Sequence, residues 1–208
     1  YYIIMELPIY KLIINDSEGD ETEVNYVAVV YGESEPATQS YAAYFSSEVE
    51  HKFQVIDEAR NIVGGYLMIA DRPIKRVDKK TGKEYFVILD KENINKAMVK
   101  FFEKGYQNNV NLQHDPKQSV EGMTLYQHFI IDRELGVKAP KGFTNEADGS
   151  SFGFFKVKNK EVLDIVKANK FGFSIEGLFK QEPVIMVSEE EANTIMDALK
   201  KLHDKKII

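Results

Sequence analysis

The chain has 208 residues, of which 43% are hydrophobic and 29% are charged, as expected of an ordinary globular domain with a sizeable core. Its net charge of −6, with Lys and Arg scattered along the chain, argues against a nucleic-acid-binding surface, because phosphate binding needs a clustered basic patch. The absence of cysteine excludes disulfides, thiol nucleophiles and cysteine-ligated zinc, and no apolar run is long enough to span a membrane. We therefore expect a cytoplasmic protein.

Alternating apolar residues predict β-strands throughout the first half of the chain. In chain order, the predicted strands cover residues 7–14, 23–31, 51–56, 61–69, 72–77 and 84–89. The first two are expected to pair as an N-terminal hairpin, followed by a loop at residues 32–40 that is rich in Gly, Ser and Pro. Thr81 and Gly82 predict a hairpin turn between the last two.

The apolar period changes to that of a helix at residues 90–105, where Asp90 is a good N-cap and Gly105 a good terminator. Further strands are predicted at residues 110–116, 120–132, 151–157, 171–177 and 183–187, with a loop at 117–119, a surface excursion at 133–150 and a short helix at 161–169. A capping box at Ser188 opens a C-terminal helix that extends to about residue 204.

These elements predict an α+β fold, with a β-rich sheet or partly closed barrel flanked by about three helices. The predicted organisation is an N-terminal β-hairpin and loop extension at residues 1–50, a core at 51–187 and a C-terminal helix at 188–208.

Two strand ends carry the residues that suggest catalysis. Apolar residues alternate with small or polar ones over residues 171–177, so one face is apolar and the other presents the Ser174 hydroxyl between Gly172 and a carboxylate. Gly172 and Gly177 are expected to leave that hydroxyl open. The short strand predicted within residues 110–116 places His114 near its end, just before Pro116. A serine and a histidine held by a sheet are typical of a nucleophile and its general base.

Each of these residues also has an ordinary structural interpretation. A strand serine commonly just faces water, and Ser174 does not lie in a Gly-x-Ser-x-Gly nucleophile elbow, which argues against an α/β-hydrolase. His114 could simply cap a turn, and a hydrogen-bonded buried imidazole is the default for His128. No His-x-x-x-His pair occurs, and the acidic residues near 189–191 suit a helix start, so no metal site is expected.

Several short motifs follow one another in an order that is more specific than any of them alone. They are Ile-Ala-Asp-Arg-Pro-Ile at 69–74, the helix at 90–105, Asn-Leu-Gln-His-Asp at 111–115, Gly149 with Ser150, a short helix, and Lys-Phe-Gly-Phe-Ser-Ile-Glu-Gly at 170–177. Over residues 7–183 the chain resembles the phage serine protease group within the tailed-phage prohead (capsid maturation) proteases. That group is related in fold to the herpesvirus assemblins.

The resemblance implies that Ser174 is the nucleophile and His114 the general base, and backbone N–H groups near Gly177 are a candidate oxyanion hole. The third catalytic member is where this chain departs from the family. Relatives tend to carry Glu-Ser in the strand after the histidine, where this chain has Gln127 and His128.

Three candidates for that third member follow. Gln127 could orient an imidazole without supplying an anion, and His128 could act as the second histidine does in assemblins. Glu182, after the serine strand, is a further candidate.

The implied function is that of a serine endopeptidase of virus capsid maturation, which cleaves scaffold, capsid proteins and itself through an acyl-enzyme. It would act inside the viral procapsid in the host cytoplasm, without a cofactor, nucleic acid or membrane. Its partners would be the major capsid protein, the scaffold and further copies of itself. One alternative is a catalytically inactive relative that acts as a scaffold-associated morphogenesis protein. Another is an unrelated β-rich module with an apolar ligand pocket away from Ser174 and His114.

Overall fold

A computed structural model describes residues 7–31, 54–78, 80–143, 146–168 and 171–184. Strands outnumber helices in this part of the chain, as predicted for an α+β fold. The strands are β1 (Ile9–Ile13), β2 (Glu23–Tyr31), β3 (Gln54–Asp57), β4 (Ile62–Met68), β5 (Ile74–Val77), β6 (Glu84–Ile88), β7 (Val110–Leu112), β8 (Asp115–Ser119), β9 (Met123–Ile130), β10 (Ser151–Val157), β11 (Phe171–Leu178) and β12 (Lys180–Pro183). The α-helices are α1 (Lys91–Glu103) and α2 (Lys160–Ala168).

The strands form three sheets of four strands each. The first sheet has the order β12-β1-β6-β5, and the third has the order β3-β4-β10-β9. The second sheet, β11-β2-β7-β8, carries both Ser174 and His114 at its β11 and β7–β8 positions and is called the site sheet below. A sheet or a partly closed barrel was predicted, and within the described residues the strands form open sheets that do not close into a barrel.

The predicted N-terminal hairpin is wrong. β1 pairs with β12 and β6 in the first sheet, whereas β2 pairs with β11 and β7 in the site sheet. The reason is that residues 27–30 of β2 are all buried, so this strand needs covered faces and neighbours on both sides. The described residues of the predicted N-terminal extension thus supply a central strand to each of two sheets.

The site sheet presents one face to the main hydrophobic core. Val27 of β2 lies in register with Ile175 of β11 and Val110 of β7, and all three side chains belong to that core. The ring of Phe173 packs 4.8 Å from that of Phe155 in the third sheet, measured between centroids. Burial of apolar faces between sheets is the main stabilising contribution here.

Helix α1 begins where its sequence predicts. The side chain of Asp90 accepts a hydrogen bond from the backbone N–H of Asn93 at 2.9 Å, and Gly105 follows the helix with a left-handed φ of 74°. The buried Asn93 side chain accepts from the N–H of Ile14 at 2.7 Å. This bond fixes the helix to the end of β1.

Most other predicted elements are present in the described residues. β5 and β6 pair as the predicted hairpin. Residues 133–143 and 146–150 are irregular, apart from the isolated bridge that pairs Val137 with Asp132. Residues 115–119 were predicted as the end of a strand and a loop, but they form β8, which pairs back on β7. The predicted loop at 32–40, most of the last predicted strand and the C-terminal helix lie outside the described residues.

Neither described helix is long and apolar enough to cross a membrane.

Candidate active site

Ser174 lies in a row of three side chains that crosses the site sheet. It is paired with Ala28 of β2, which is paired in turn with Asn111 of β7. Residues paired across a sheet point to the same face, so this row lies on the face opposite to the main core. Because Ala28 carries only a methyl group, a side chain on β7 can reach across it toward β11.

The prediction that the Ser174 hydroxyl is open is wrong. Ser174 is 1% exposed, and its Oγ has no hydrogen-bond partner among the described residues. Alternation correctly predicts the two faces of β11, but both faces are covered from residue 171 to residue 175. Glycine neighbours remove obstacles on their own strand only, and they do not prevent other parts of the chain from covering the serine.

His114 projects from a tight turn between β7 and β8. Gln113 and His114 have φ values of 54° and 58°, a left-handed conformation at both central positions that is typical of a type I′ hairpin turn. The backbone N–H of Gln113 donates to the carbonyl of Val29 at 3.0 Å, and its side-chain Nε2 donates to the carbonyl of Tyr31 at 2.9 Å. These bonds hold the turn against β2.

The imidazole of His114 contacts a carboxylate on the serine strand. Its Nδ1 lies 3.2 Å from Oε1 of Glu176, and the same oxygen accepts a hydrogen bond from Nδ2 of Asn111 at 2.6 Å. Glu176 and Ser174 are two residues apart on β11 and therefore share a face. The side chains of His114 and Glu176 are 42% and 26% exposed, so this pair is accessible to solvent while Ser174 is not.

The contact between Nδ1 and Glu176 leaves Nε2 of His114 for another partner. In a serine–histidine–acid triad, Nδ1 faces the acid and Nε2 faces the nucleophile. In the described conformation, Nδ1 of His114 contacts the carboxylate of Glu176. The second contact is missing, since Oγ of Ser174 has no hydrogen bond to His114. The site sheet therefore carries a serine, a histidine and a carboxylate, and of the two contacts of a triad only that between His114 and Glu176 is present among them.

The predicted third members, Gln127 and His128, do not approach His114 in this way. Both lie on β9 of the third sheet, where Gln127 is exposed. His128 forms a contact of 2.9 Å between its Nε2 and the Oγ of Ser151 and packs against the ring of Phe102. Burial lowers the pKa of His128 to about 4, so its imidazole is neutral near pH 7.

His128 and Ser151 form a serine–histidine pair of their own. Neither residue has a carboxylate partner in the described part of the chain, and the Ser151 side chain is fully buried. The default structural interpretation of His128 as a hydrogen-bonded imidazole is thus confirmed by its contacts.

The two remaining candidates have different positions. Glu182 lies on β12 opposite Lys11, in the first sheet, and is exposed. Gly177 follows Glu176 at a register shift where β11 crosses the start of β2. A Cβ at Gly177 would lie only 1.9 Å from the carbonyl oxygen of Glu23, so only glycine allows this close approach.

A cleft of about 750 Å³ opens beside the histidine. Its walls come from the first sheet and from the end of β11, and its lining includes His114, Glu176 and Gly177. Ser174 comes directly before residues that line this cleft, but it does not line the cleft itself. The described residues contain no group of three or more His, Asp or Glu side chains that could hold a metal ion.

The contact of Glu176 with His114 is what the sequence interpretation missed. A useful signal was present, because a spacing of two on a strand places the Ser174 hydroxyl and the Glu176 carboxylate on the same face. That spacing does not tell which carboxylate a histidine sixty residues earlier will meet. The pairing of β2 with both β7 and β11 decides it.

Comparison of the chain with models of protein families, with curated proteins and with solved structures finds no match.

Proposed function

We propose that this chain is a serine endopeptidase of virus capsid maturation that uses Ser174 as nucleophile, His114 as general base and Glu176 as the group that orients the histidine. The observation that carries the proposal is the contact of 3.2 Å between Nδ1 of His114 and the carboxylate that lies two residues after Ser174 on the same strand face. The capsid setting is supported only by the order of the sequence motifs around these residues.

In the proposed reaction, Oγ of Ser174 bonds to the carbonyl carbon of a peptide while Nε2 of His114 accepts its proton. His114 then gives this proton to the leaving amine as the C–N bond breaks, and water hydrolyses the acyl-enzyme by the same route in reverse. Glu176 stabilises the imidazolium and keeps Nδ1 turned away from the serine. Asn111 holds the Glu176 carboxylate in place through its bond of 2.6 Å.

The buried Ser174 imposes a condition on this proposal. A substrate carbonyl reaches Oγ only when the surface over residue 174 opens and the imidazole moves into hydrogen-bond reach of the hydroxyl. The described conformation is therefore a closed one. High local concentration of scaffold and capsid proteins inside a procapsid would make cleavage faster there than in dilute solution.

The test is intact mass spectrometry of the purified protein over time, alone and with scaffold and major capsid protein as substrates. We expect discrete truncations with the parent chain, and none with Ser174→Ala or His114→Ala. Ser151→Ala is the matched control, because it removes another buried serine that contacts a histidine, and it should cut like the parent. Cutting that survives Ser174→Ala and stops in Ser151→Ala would move the nucleophile to the other pair.

The second candidate function is that of a non-catalytic, scaffold-associated morphogenesis protein. The burial of Ser174 and the absence of a hydrogen bond from its Oγ to His114 favour it. This candidate predicts uncut masses in all mixtures, together with stable association of the chain with scaffold, capsid protein or its own copies.

A further inference from the structure

Among the described residues, Arg76 differs from the other arginines in having no carboxylate partner. The chain has four arginines, all within the described residues. Arg60, Arg72 and Arg133 each form an ion pair, with N–O distances of 2.6, 2.5 and 2.8 Å. The Arg76 guanidinium makes only a long hydrogen bond of 3.3 Å to the neighbouring carbonyl of Lys75 within the described part of the chain.

Arg76 projects from β5 into the cleft that His114 and Glu176 line. Much of the surrounding wall is apolar, with Ile74 and Phe179 among the lining residues. Burial there lowers the pKa of the Arg76 guanidinium, because removal of water disfavours the charged form. Arginine nevertheless keeps its proton, so the cleft contains a partly desolvated positive charge.

A partly desolvated cation without an anion is unfavourable, and a ligand that supplies one gains a charge-assisted hydrogen bond. The planar fork of a guanidinium suits a carboxylate in particular, because two parallel N–H groups can meet its two oxygens. Glu176 lines the same cleft and contacts Asn111 and His114 through its Oε1, and no ion pair joins these two described residues, Glu176 and Arg76.

We propose that Arg76 forms a subsite for the carboxylate of an acidic side chain in the peptide that occupies this cleft. The inference rests on the proposed function, because it assigns the substrate class of the same site. Peptide segments with a Glu or Asp near the scissile bond would be preferred over segments with the corresponding amide. An amide in place of the acid carries no negative charge and would leave the partly desolvated guanidinium without a counter-charge. We therefore expect the acidic peptide to bind more tightly than the amide peptide.

The test observes the Nε–Hε signals of the arginines by nuclear magnetic resonance in Ser174→Ala protein, in which no cleavage takes place. With four arginines the signals are few, and the one lost in Arg76→Lys is assigned to Arg76. The probes are the capped tetrapeptides acetyl-Ala-Ala-Glu-Ala-amide and acetyl-Ala-Ala-Gln-Ala-amide. A third probe is acetyl-tetraalanine with a free terminal carboxylate.

We expect the glutamate peptide to shift the Arg76 signal in a saturable way and to bind at least about tenfold more tightly than the glutamine peptide. Arg133, which is paired with Asp148 at the surface, is the matched control, and its signal should not show saturable change. In Arg76→Gln protein the two capped peptides should bind equally. An Arg76 signal that does not respond, or that responds equally to glutamate and glutamine, would overturn the inference.

A stronger response to the free terminal carboxylate than to the glutamate side chain would also overturn it, because the subsite would then recognise a chain end. The result is independent of the cleavage assay. If the Arg76 signal responds but mass spectrometry finds no cutting that depends on Ser174 and His114, the proposed function fails while the carboxylate subsite stands. If the parent cuts through Ser174 and the Arg76 signal is silent, the subsite fails alone.

Discussion

Ser174 combines burial with an unsatisfied hydroxyl, a combination that is unfavourable for stability. Its Oγ has no partner among the described residues, although the residue is almost fully buried. A buried hydroxyl without a hydrogen bond costs about 1–3 kcal/mol relative to one that is bonded. Ser150, equally buried, shows the satisfied case, because its Oγ accepts from the backbone N–H of Ala70 at 3.0 Å. Such unsatisfied buried groups are few in native proteins.

This contrast gives a prediction about stability that does not depend on activity. Ser174→Ala removes an unsatisfied hydroxyl and should leave the free energy of unfolding unchanged or raise it by about 1 kcal/mol. Ser150→Ala, the matched control, leaves the N–H of Ala70 without its partner and should lower it by about 1–2 kcal/mol. Urea unfolding of both variants measures the difference. Equal losses in the two variants would mean that the Ser174 hydroxyl has a partner in solution.

His128 is expected to lower the stability of the protein as the pH falls below neutrality. Its pKa of about 4 in the folded protein lies below the ordinary value of 6.5, so below about pH 6.5 the unfolded chain binds a proton that the folded one does not. The stabilisation is therefore complete above pH 6.5 and is lost as the pH falls toward 4. Between about pH 7 and about pH 5 the expected loss from this group is about 2 kcal/mol.

Urea unfolding at both pH values, with His128→Gln as the comparison, isolates the contribution of this residue. The variant cannot titrate at position 128 and should lose correspondingly less stability over that range. Parallel pH dependence in parent and variant would contradict the partly buried, neutral state of His128.

At the scale of elements, the β7–β8 turn has a residue choice that its geometry does not favour. Type I′ turns prefer Asn and Gly at the two central positions because both have positive φ, yet Gln113 and His114 occupy them. Each non-glycine residue in this conformation costs about 1–2 kcal/mol. The bonds of Gln113 to β2 offset part of that cost. Among the described residues, the contact with Glu176 is the side-chain interaction that His114 makes in return.

Replacing His114 by two different residues separates the strain of the turn from the loss of the side chain. His114→Gly removes both, and we expect the free energy of unfolding to rise by about 1 kcal/mol. His114→Ala keeps the left-handed backbone unfavourable and should not stabilise. Both should lack activity. Thermal unfolding compares them, and a glycine variant that is less stable than the alanine variant would contradict the strained turn.

The sequence predicted elements well and their partners poorly, for a physical reason. The bounds of α1 follow from local chemistry, because Asp90 and Gly105 act within a few residues of the helix ends. β1 and β2 were also located correctly, but the hairpin expected between them requires a choice of partner. That choice depends on burial from the whole chain, and β2 is buried too extensively to be half of an isolated hairpin.

At the scale of the whole molecule, the candidate site is assembled from segments that are far apart in sequence. β2 supplies Ala28, over which Asn111 of β7 reaches Glu176 of β11, and the first sheet supplies the opposite wall of the cleft. Ser174 and His114 could be named from the motifs that carry the family resemblance. Glu176 and Arg76 could not be assigned roles, because each depends on which sheet lies beside which.

The packing of the whole molecule also explains why Ser174 is buried, although the sequence predicted an exposed hydroxyl. Alternation describes the faces of a single strand, and in β11 it correctly separates the apolar face of Phe173 from the face of the hydroxyl. Whether the second face is covered depends on the packing of the complete fold, which local periodicity does not contain. Under the proposed function, this covering keeps a substrate from the Ser174 hydroxyl until the surface over it opens.

A nucleophilic Ser174, activated by His114 and Glu176 as proposed, should react with a reagent that labels activated serines. The protein, alone and mixed with scaffold and capsid protein, is treated with a fluorophosphonate, and the modified residue is located by peptide mass spectrometry. We expect one adduct on Ser174, formed at a rate that falls by about 100-fold or more in His114→Ala and also falls in Glu176→Gln. No adduct under any of these conditions, or an adduct on Ser151, would contradict it.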